Sequence, residues 1–248
     1  MNAQAVLATR AARAGGLLLT AVALALPATA AAAPTLKADL PCYYPGQPIG
    51  LSGAGYTPSG DIGLMFALSG SHGNNTVAAK DPLTADAAGG INASLPAPAL
   101  ASDNDLRETV TLTANDQARL GPNGPLGLPE ESFAATQFLL TGVDVLVSPW
   151  LRGHVNPRSV TTFRVLGWEP FRRVYAHYFL NGKRLKTVAL GSVSGPCGDL
   201  TKKLRQFPFR PVPAGKYKIR FTGTRVFDPQ AFWIGYRDVV VSKAKAVR

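Results

Sequence analysis

The sequence predicts an all-β protein: two β-sandwich domains in tandem behind a signal peptide. Three observations lead there. The stretch "GYTP" at Gly55–Pro58 returns as "GWEP" at Gly167–Pro170, 112 residues later, about the length of one small β-domain. Apolar and polar residues alternate with a period of two in several segments, and no long segment with a 3.6-residue period follows the leader. Twenty prolines and 25 glycines punctuate the chain, as many short strands joined by tight turns require.

Residues 1–32 read as the signal peptide. Arg10 and Arg13 precede a short apolar run, "GGLLLTAVALAL", which ends at Pro27. The following "ATAAAA" offers small residues for cleavage after Ala30 or Ala32. The run is shorter than the ~20 apolar residues of a comfortable membrane span. No later stretch is long and apolar enough to cross a bilayer, so the expectation is a secreted, extracellular chain with no transmembrane segment after cleavage. The Ala-rich leader looks bacterial. Cys42 and Cys197 are the two cysteines. An even count in an exported chain predicts one disulfide, and only one pairing exists.

The two copies are placed at residues 34–142 and 143–248. "PGQPIGLSGAGYTP" from Pro45 answers "PRSVTTFRVLGWEP" from Pro157, each reading as a strand entering a tight turn. "DIGLMFAL" then answers "RVYAHYFL", "GGINASLPAP" answers "GDLTKKLRQFPF", "ETVTLTA" answers "GKYKIRFTG", and "AATQFLLTG" answers "AFWIGYRDVVV". In "YKIRFTG", Tyr217, Ile219 and Phe221 alternate with Lys218 and Arg220, so one face is apolar and the other basic. Val110 and Leu112 alternate with threonines. Asn181-Gly182 lies between two strand-like runs and predicts a type I′ hairpin, since both residues tolerate positive φ. Val143, Val145 and Val147 are expected to face a second core just after Gly142. The connection there is almost absent, which favours a fixed elbow between the domains.

About seven short strands in ~100 residues suit an immunoglobulin-like sandwich. The order of "PGQPIGLSGAGYTPSGDIGLMF", "TADAAGGINASLPAP" and "TVTLTA" is similar to bacterial extracellular Ig-like repeats, and Ala214–Tyr217 resembles their final Gly-x-Tyr strand. The resemblance covers most of the chain after the leader. It implies secreted or surface-attached modules, mostly without catalysis. The second copy departs from the pattern in its longer, basic hairpin and in Cys197.

The net charge of +11 is divided unevenly. Residues 34–142 hold 4 basic and 10 acidic side chains; residues 143–248 hold 20 and 5. Net charge speaks about partners more than about fold. Arg172, Arg173, Arg184, Lys186, Lys202, Lys203, Arg205, Lys216, Lys218 and Arg220 are the candidates for binding an anionic surface, either an envelope polymer or an acidic protein. If the Asn181-Gly182 loop has two residues, His177, Phe179, Arg184 and Lys186 share a face. Two other readings of this charge stand beside it: a merely solvated basic face, and docking of the acidic domain on the basic one. Export argues against nucleic acid as the physiological ligand.

No catalytic or metal site is expected, and no cofactor. His72, His154 and His177 lack HExxH spacing, and two cysteines are too few for a structural zinc. "GLSGA" fails the nucleophile-elbow pattern at Ala54. Asp103, Asn104 and Asp105 could offer oxygens to calcium, but an Asx-rich turn explains them more simply. Tyr56 and Trp168 are expected to pack inside their turns. If Phe232 and Ile234 point inward, Trp233 points outward, where with Tyr236 it would suit a sugar. The reading is therefore a non-enzymatic Ig-like protein presenting a binding surface at the cell envelope. A carbohydrate-binding module and an envelope hydrolase with a loop-built site are the alternatives.

Overall fold

The computed structural model describes residues 33–102, 104–120, 132–149, 153–169 and 171–242, with side chains at all of these except 236–238. The expected leader, Asp103, the Tyr236 side chain and the basic tail after Ser242 lie outside what is described.

The first sandwich contains β1 (Thr35–Ala38), β2 (Cys42–Tyr43), β3 (Pro48–Ala54), β4 (Asp61–Gly70), β5 (Gly73–Ala78), β6 (Leu83–Thr84), β7 (Ile91–Pro96), β8 (Arg107–Asp116) and β9 (Phe133–Thr141). The second contains β10 (Asp144–Ser148), β11 (Gly153–Val155), β12 (Val160–Leu166), β13 (Arg173–Leu180), β14 (Lys183–Ser192), β15 (Leu200–Arg205), β16 (Gly215–Thr222) and β17 (Ile234–Val241). Sheets β1-β3-β7 and β2-β9-β8-β4-β5 form the first, with β6 on β4; sheets β10-β12-β15 and β11-β17-β16-β13-β14 form the second. The two orders match strand for strand, apart from the extra β6. Even the parallel pairs correspond, β2 with β9 and β11 with β17. The paired segments read from the sequence are these equivalent strands.

Alternation sets the cores. On β8, Val110, Leu112 and Ala114 are buried; on β16, Tyr217, Ile219 and Phe221 are. One apolar cluster runs from Tyr43 to Leu140 and a second from Val145 to Val241. Trp168 is the largest side chain fully enclosed in the second. The Asn181-Gly182 hairpin forms with Leu180 opposite Lys183, and both turn residues have positive φ (47° and 84°).

The repeated motif is a turn held from outside itself. Gly55 and Gly167 have φ of 85° and 64°, which only glycine adopts cheaply. The next residue's amide donates to the carbonyl of a second glycine: Tyr56 to Gly89 at 3.1 Å and Trp168 to Gly198 at 3.0 Å. Those glycines precede β7 and β15. A Cβ on Gly89 would lie 2.2 Å from the Tyr56 oxygen, and one on Gly198 would lie 2.2 Å from the Glu169 nitrogen. So each turn is pinned against the start of the third strand in its own small sheet.

In the first copy, Asp116 completes the turn. Its buried carboxylate accepts from the Thr57 amide at 2.7 Å and the Thr57 hydroxyl at 2.9 Å, and pairs with Arg119 at 3.1 Å. Arg119 also donates to the Gly55 carbonyl. Replacing Asp116 by Ala leaves the part-buried Thr57 amide and hydroxyl without their acceptor and removes one partner of Arg119, so the first sandwich should lose ~3 kcal/mol in urea unfolding. A loss below ~1 kcal/mol would show that the turn does not need its carboxylate.

Candidate functional site

Among the described residues no carboxylate meets the equivalent amide of the second turn, which takes its partner from the first sandwich. Glu169 occupies the position equivalent to Thr57. Its amide donates to the Tyr44 hydroxyl at 3.1 Å, and that hydroxyl donates to the Gly167 carbonyl at 3.1 Å. Burial, the larger cause, and the nearby Glu169 carboxylate push the Tyr44 phenol up to about 12, so it stays protonated and able to donate.

Two further links surround this hydroxyl. Cys42 and Cys197 form a disulfide with Cα atoms 5.4 Å apart, as the even cysteine count predicts. It closes a loop of 155 residues, which in the chain-entropy account stabilises by ~5 kcal/mol. Arg107 grips Asp199 with both terminal nitrogens, at 2.8 and 2.7 Å. The chain itself passes so close that a Cβ on Gly167 would meet the Gly142 carbonyl oxygen at 2.2 Å. Strand β2 and the start of β8 supply one side of this junction; the Trp168 turn and the Cys197–Asp199 segment supply the other.

The ion pair runs against the charge balance of the two halves. The acidic domain contributes the cation and the basic domain the anion. Among the described residues it is the only ion pair that crosses the junction. The excess charge of the second sandwich is therefore not spent on docking the first.

The ten basic candidates do not form one patch. Arg173, Arg184, Lys216, Lys218 and Arg220 project from the outer face of the five-stranded sheet, opposite the buried Val174, Tyr178, Tyr217 and Ile219. Lys203 and Arg205 project from the outer face of the three-stranded sheet, on the far side of the sandwich, beside Arg164. Lys202 pairs with the inward-facing Phe163 and points to the core side of an exposed edge. Such an inward charge protects an edge strand from pairing with another chain. Arg172 lies in the turn before β13.

Lys186 departs from the expected face. A bulge between Tyr178 and Phe179 inserts Leu185, so Lys186 lies opposite the inward-facing Tyr178 and Thr187 lies opposite His177. Each bulge shifts the alternation by one residue. None of the ten candidates is in an ion pair among the described residues.

Arg220 is also unlike its neighbours. The segment after β16 folds back over the sheet, and the Arg220 guanidinium sits 4.2 Å from the Trp233 ring centroid, 5.1 Å from Phe227 and 5.3 Å from Phe179. This cation–π arrangement holds the segment down. Trp233 thus faces outward as expected, but against Arg220. Phe232, expected inward, is half exposed, with its ring 6.0 Å from Trp168. The same segment buries His177, whose ring nitrogens bond Thr187 at 2.9 Å and Thr222 at 2.7 Å. Burial foremost, with Arg184 adding to it, lowers the His177 pKa and keeps the ring neutral. Arg225, not singled out from the sequence, flanks Arg173 and Arg184 on this face.

The acidic loop near Ser102 is used internally. The buried Asp105 accepts from the Ser71 hydroxyl, from the His72 ring at 2.7 Å and from the His72 amide. Those bonds, the Ser71 hydroxyl first, hold its carboxyl at about 2. It fastens the β4–β5 turn, a use of Asp105 that neither reading of this loop predicts.

No protein-family model matches the chain, and no curated protein matches it in sequence. Solved structures match most of this chain's length only at low identity and low TM-score. A red sea bream transglutaminase is 14% identical with a TM-score of 0.24, covering 84% of this chain and 31% of its own. The native conformation of E. coli alpha-2-macroglobulin is 11% identical with a TM-score of 0.30, covering 85% and 17%. The chain thus spans less than a third of either protein. The assignment as an all-β, immunoglobulin-like sandwich protein rests on its own sheets.

The junction should be acid-sensitive in a defined direction. The Arg107 bonds, outweighing partial burial, hold the Asp199 carboxyl below its ordinary 3.8. Its contribution is then complete above about pH 4 and is lost as pH falls through the lowered folded value. Urea midpoints followed from about pH 6 to about pH 2 should fall less for Asp199→Asn than for the native chain. Parallel curves would mean that the pair adds nothing to stability.

Proposed function

We propose that this is a secreted, non-enzymatic protein that presents its basic second sandwich to an anionic polymer of the cell envelope. One observation carries the proposal. The net positive charge of residues 143–248 is not neutralised at the junction, where the sign of the ion pair is reversed. Among the described residues, Arg173, Arg184, Lys216 and Lys218 project from one outer face and Lys203 and Arg205 from the other, none in an ion pair. Such a surface attracts polyanions through counterion release, with affinity set by phosphate or carboxylate density more than by sequence or shape. The junction supports a rigid presenter, since disulfide, hydroxyl and ion pair oppose hinge motion. A protein with an acidic face is the second kind of partner compatible with this charge.

Binding of the oxidised protein to an immobilised anionic wall polymer should weaken steeply with salt. The double reversal Lys216→Glu/Lys218→Glu should reduce affinity at least about tenfold at low salt while leaving the unfolding midpoint nearly unchanged, because both side chains are exposed. Arg220 is left out of this variant, since reversing it would break the aromatic contacts. Equal binding to a neutral polymer at low salt would contradict the proposal.

A further inference from the structure

The end of the second sandwich farthest from the junction carries a cleft that the charge pattern of the strands does not reveal. Strand β15 starts beside Asp199 at the junction and ends at Arg205, opposite Val160 on β12. Beyond that end, the turn after β11 and the loop after β15 enclose a cleft of about 880 Å³, within the ~300–1,000 Å³ usual for ligand sites. Arg158, Arg205 and Arg210 line it, and none of its described lining residues is acidic. Phe209 and Pro211 supply apolar surface, backed by the buried Phe207.

The cleft is held in shape by its own sandwich. The loop from Gln206 to Pro213 is anchored at both ends by tyrosines buried in the core. The Tyr178 hydroxyl donates to the Gln206 carbonyl at 2.9 Å, and the Tyr217 hydroxyl donates to the Pro213 carbonyl at 2.7 Å. Phe207 packs edge-on against Tyr217 at 4.9 Å, and Phe209 against Tyr178 at 5.0 Å. Pro208 and Pro211 stiffen the loop between the anchors. On the opposite wall, Asn156 accepts from the Arg158 amide at 2.9 Å and sets the turn that projects Arg158. Two arginines come from one wall and a third from the other, all exposed or at the rim.

We propose that this cleft binds an acidic sugar unit, a uronate or a glycosyl phosphate, within the envelope polymer; this rests on the polyanion reading above and gives it a site. Guanidinium groups bind carboxylate and phosphate oxygens in pairs, and three of them line this cleft with no carboxylate among its described lining residues. Phe207 is almost wholly buried and Phe209 partly so. Phe209 offers a ring edge and C–H surface, together with the Pro211 ring. This suits the aliphatic face of a sugar and offers a nucleobase no open stacking platform. Loops at one end of a sandwich, set by a rigid framework, are where such folds carry binding sites.

The test is calorimetric titration of the oxidised full chain with short oligogalacturonate, its methyl ester, glucose 1-phosphate and a short single-stranded oligonucleotide. Saturable one-to-one binding is expected for the oligogalacturonate or the sugar phosphate, and the arm that binds identifies the acidic group. The uncharged ester should not bind. Arg158→Gln/Arg210→Gln should weaken binding at least about tenfold, whereas the charge-matched pair Lys80→Gln/Lys183→Gln should not. Circular dichroism and the unfolding midpoint verify that each variant is folded. The same variants are assayed on the long polymer. If the arginine pair loses no short-ligand affinity while polymer binding persists, the cleft is overturned and the broader reading stands. If the native chain binds neither short ligand nor polymer, both fall. Tighter binding of the oligonucleotide than of either sugar would overturn the acidic-sugar assignment.

Discussion

The amide of Glu169 has its hydrogen-bond partner in the other sandwich, and the relation between the two halves depends on that fact. In the first copy the equivalent amide, on Thr57, is met by Asp116 at the end of β8. In the second copy β16 ends at Thr222, which is engaged with His177 and Thr224. The Tyr44 hydroxyl takes the place of the missing carboxylate. A neutral phenol suits this position, because it accepts from Glu169 and also donates to Gly167, where a carboxylate could only accept. The repeat unit is thereby converted from two self-sufficient modules into a pair in which one completes the other.

The remaining contacts at the junction follow from bringing Tyr44 there. Cys42 is two residues before it, and Cys197 adjoins Gly198, whose carbonyl pins the Trp168 turn. The disulfide therefore joins two segments that the turns have already placed. Arg107 and Asp199 then meet, and their bidentate geometry gives direction to a contact that apolar packing alone would leave free to rotate. With this end of the second sandwich occupied, its two outer sheet faces and its opposite end remain available. The basic side chains and the Arg158–Arg205–Arg210 cleft lie on those surfaces.

Much of the fold is legible in the residues themselves. Alternation on β8 and β16, the Asn181-Gly182 turn and the repeated Gly-aromatic motif are local signals, and each encodes its own geometry. The cysteine pairing is legible by count. The sites are less so, because they depend on contacts between distant segments. Lys186 changes face through a bulge that no local pattern announces. Arg220 looks like its neighbour Lys218, yet three rings from two other segments converge on it. Tyr44 follows Tyr43, which is buried in the first core, and nothing nearby marks one as a core residue and the other as a clasp. Arg158 and Arg210 lie in loops, outside the strand alternation that drew attention to Lys216 and Lys218.

The central claim is that the two sandwiches move as one body because the second turn is completed from the first. Backbone residual dipolar couplings of the oxidised protein in a weakly aligning medium test this directly, using strands β3, β4 and β8 of one sandwich and β12, β13 and β16 of the other. The account predicts a single alignment tensor that fits both sets of strands in the arrangement described here. Two tensors of clearly different magnitude or orientation would show independent motion of the sandwiches and contradict it.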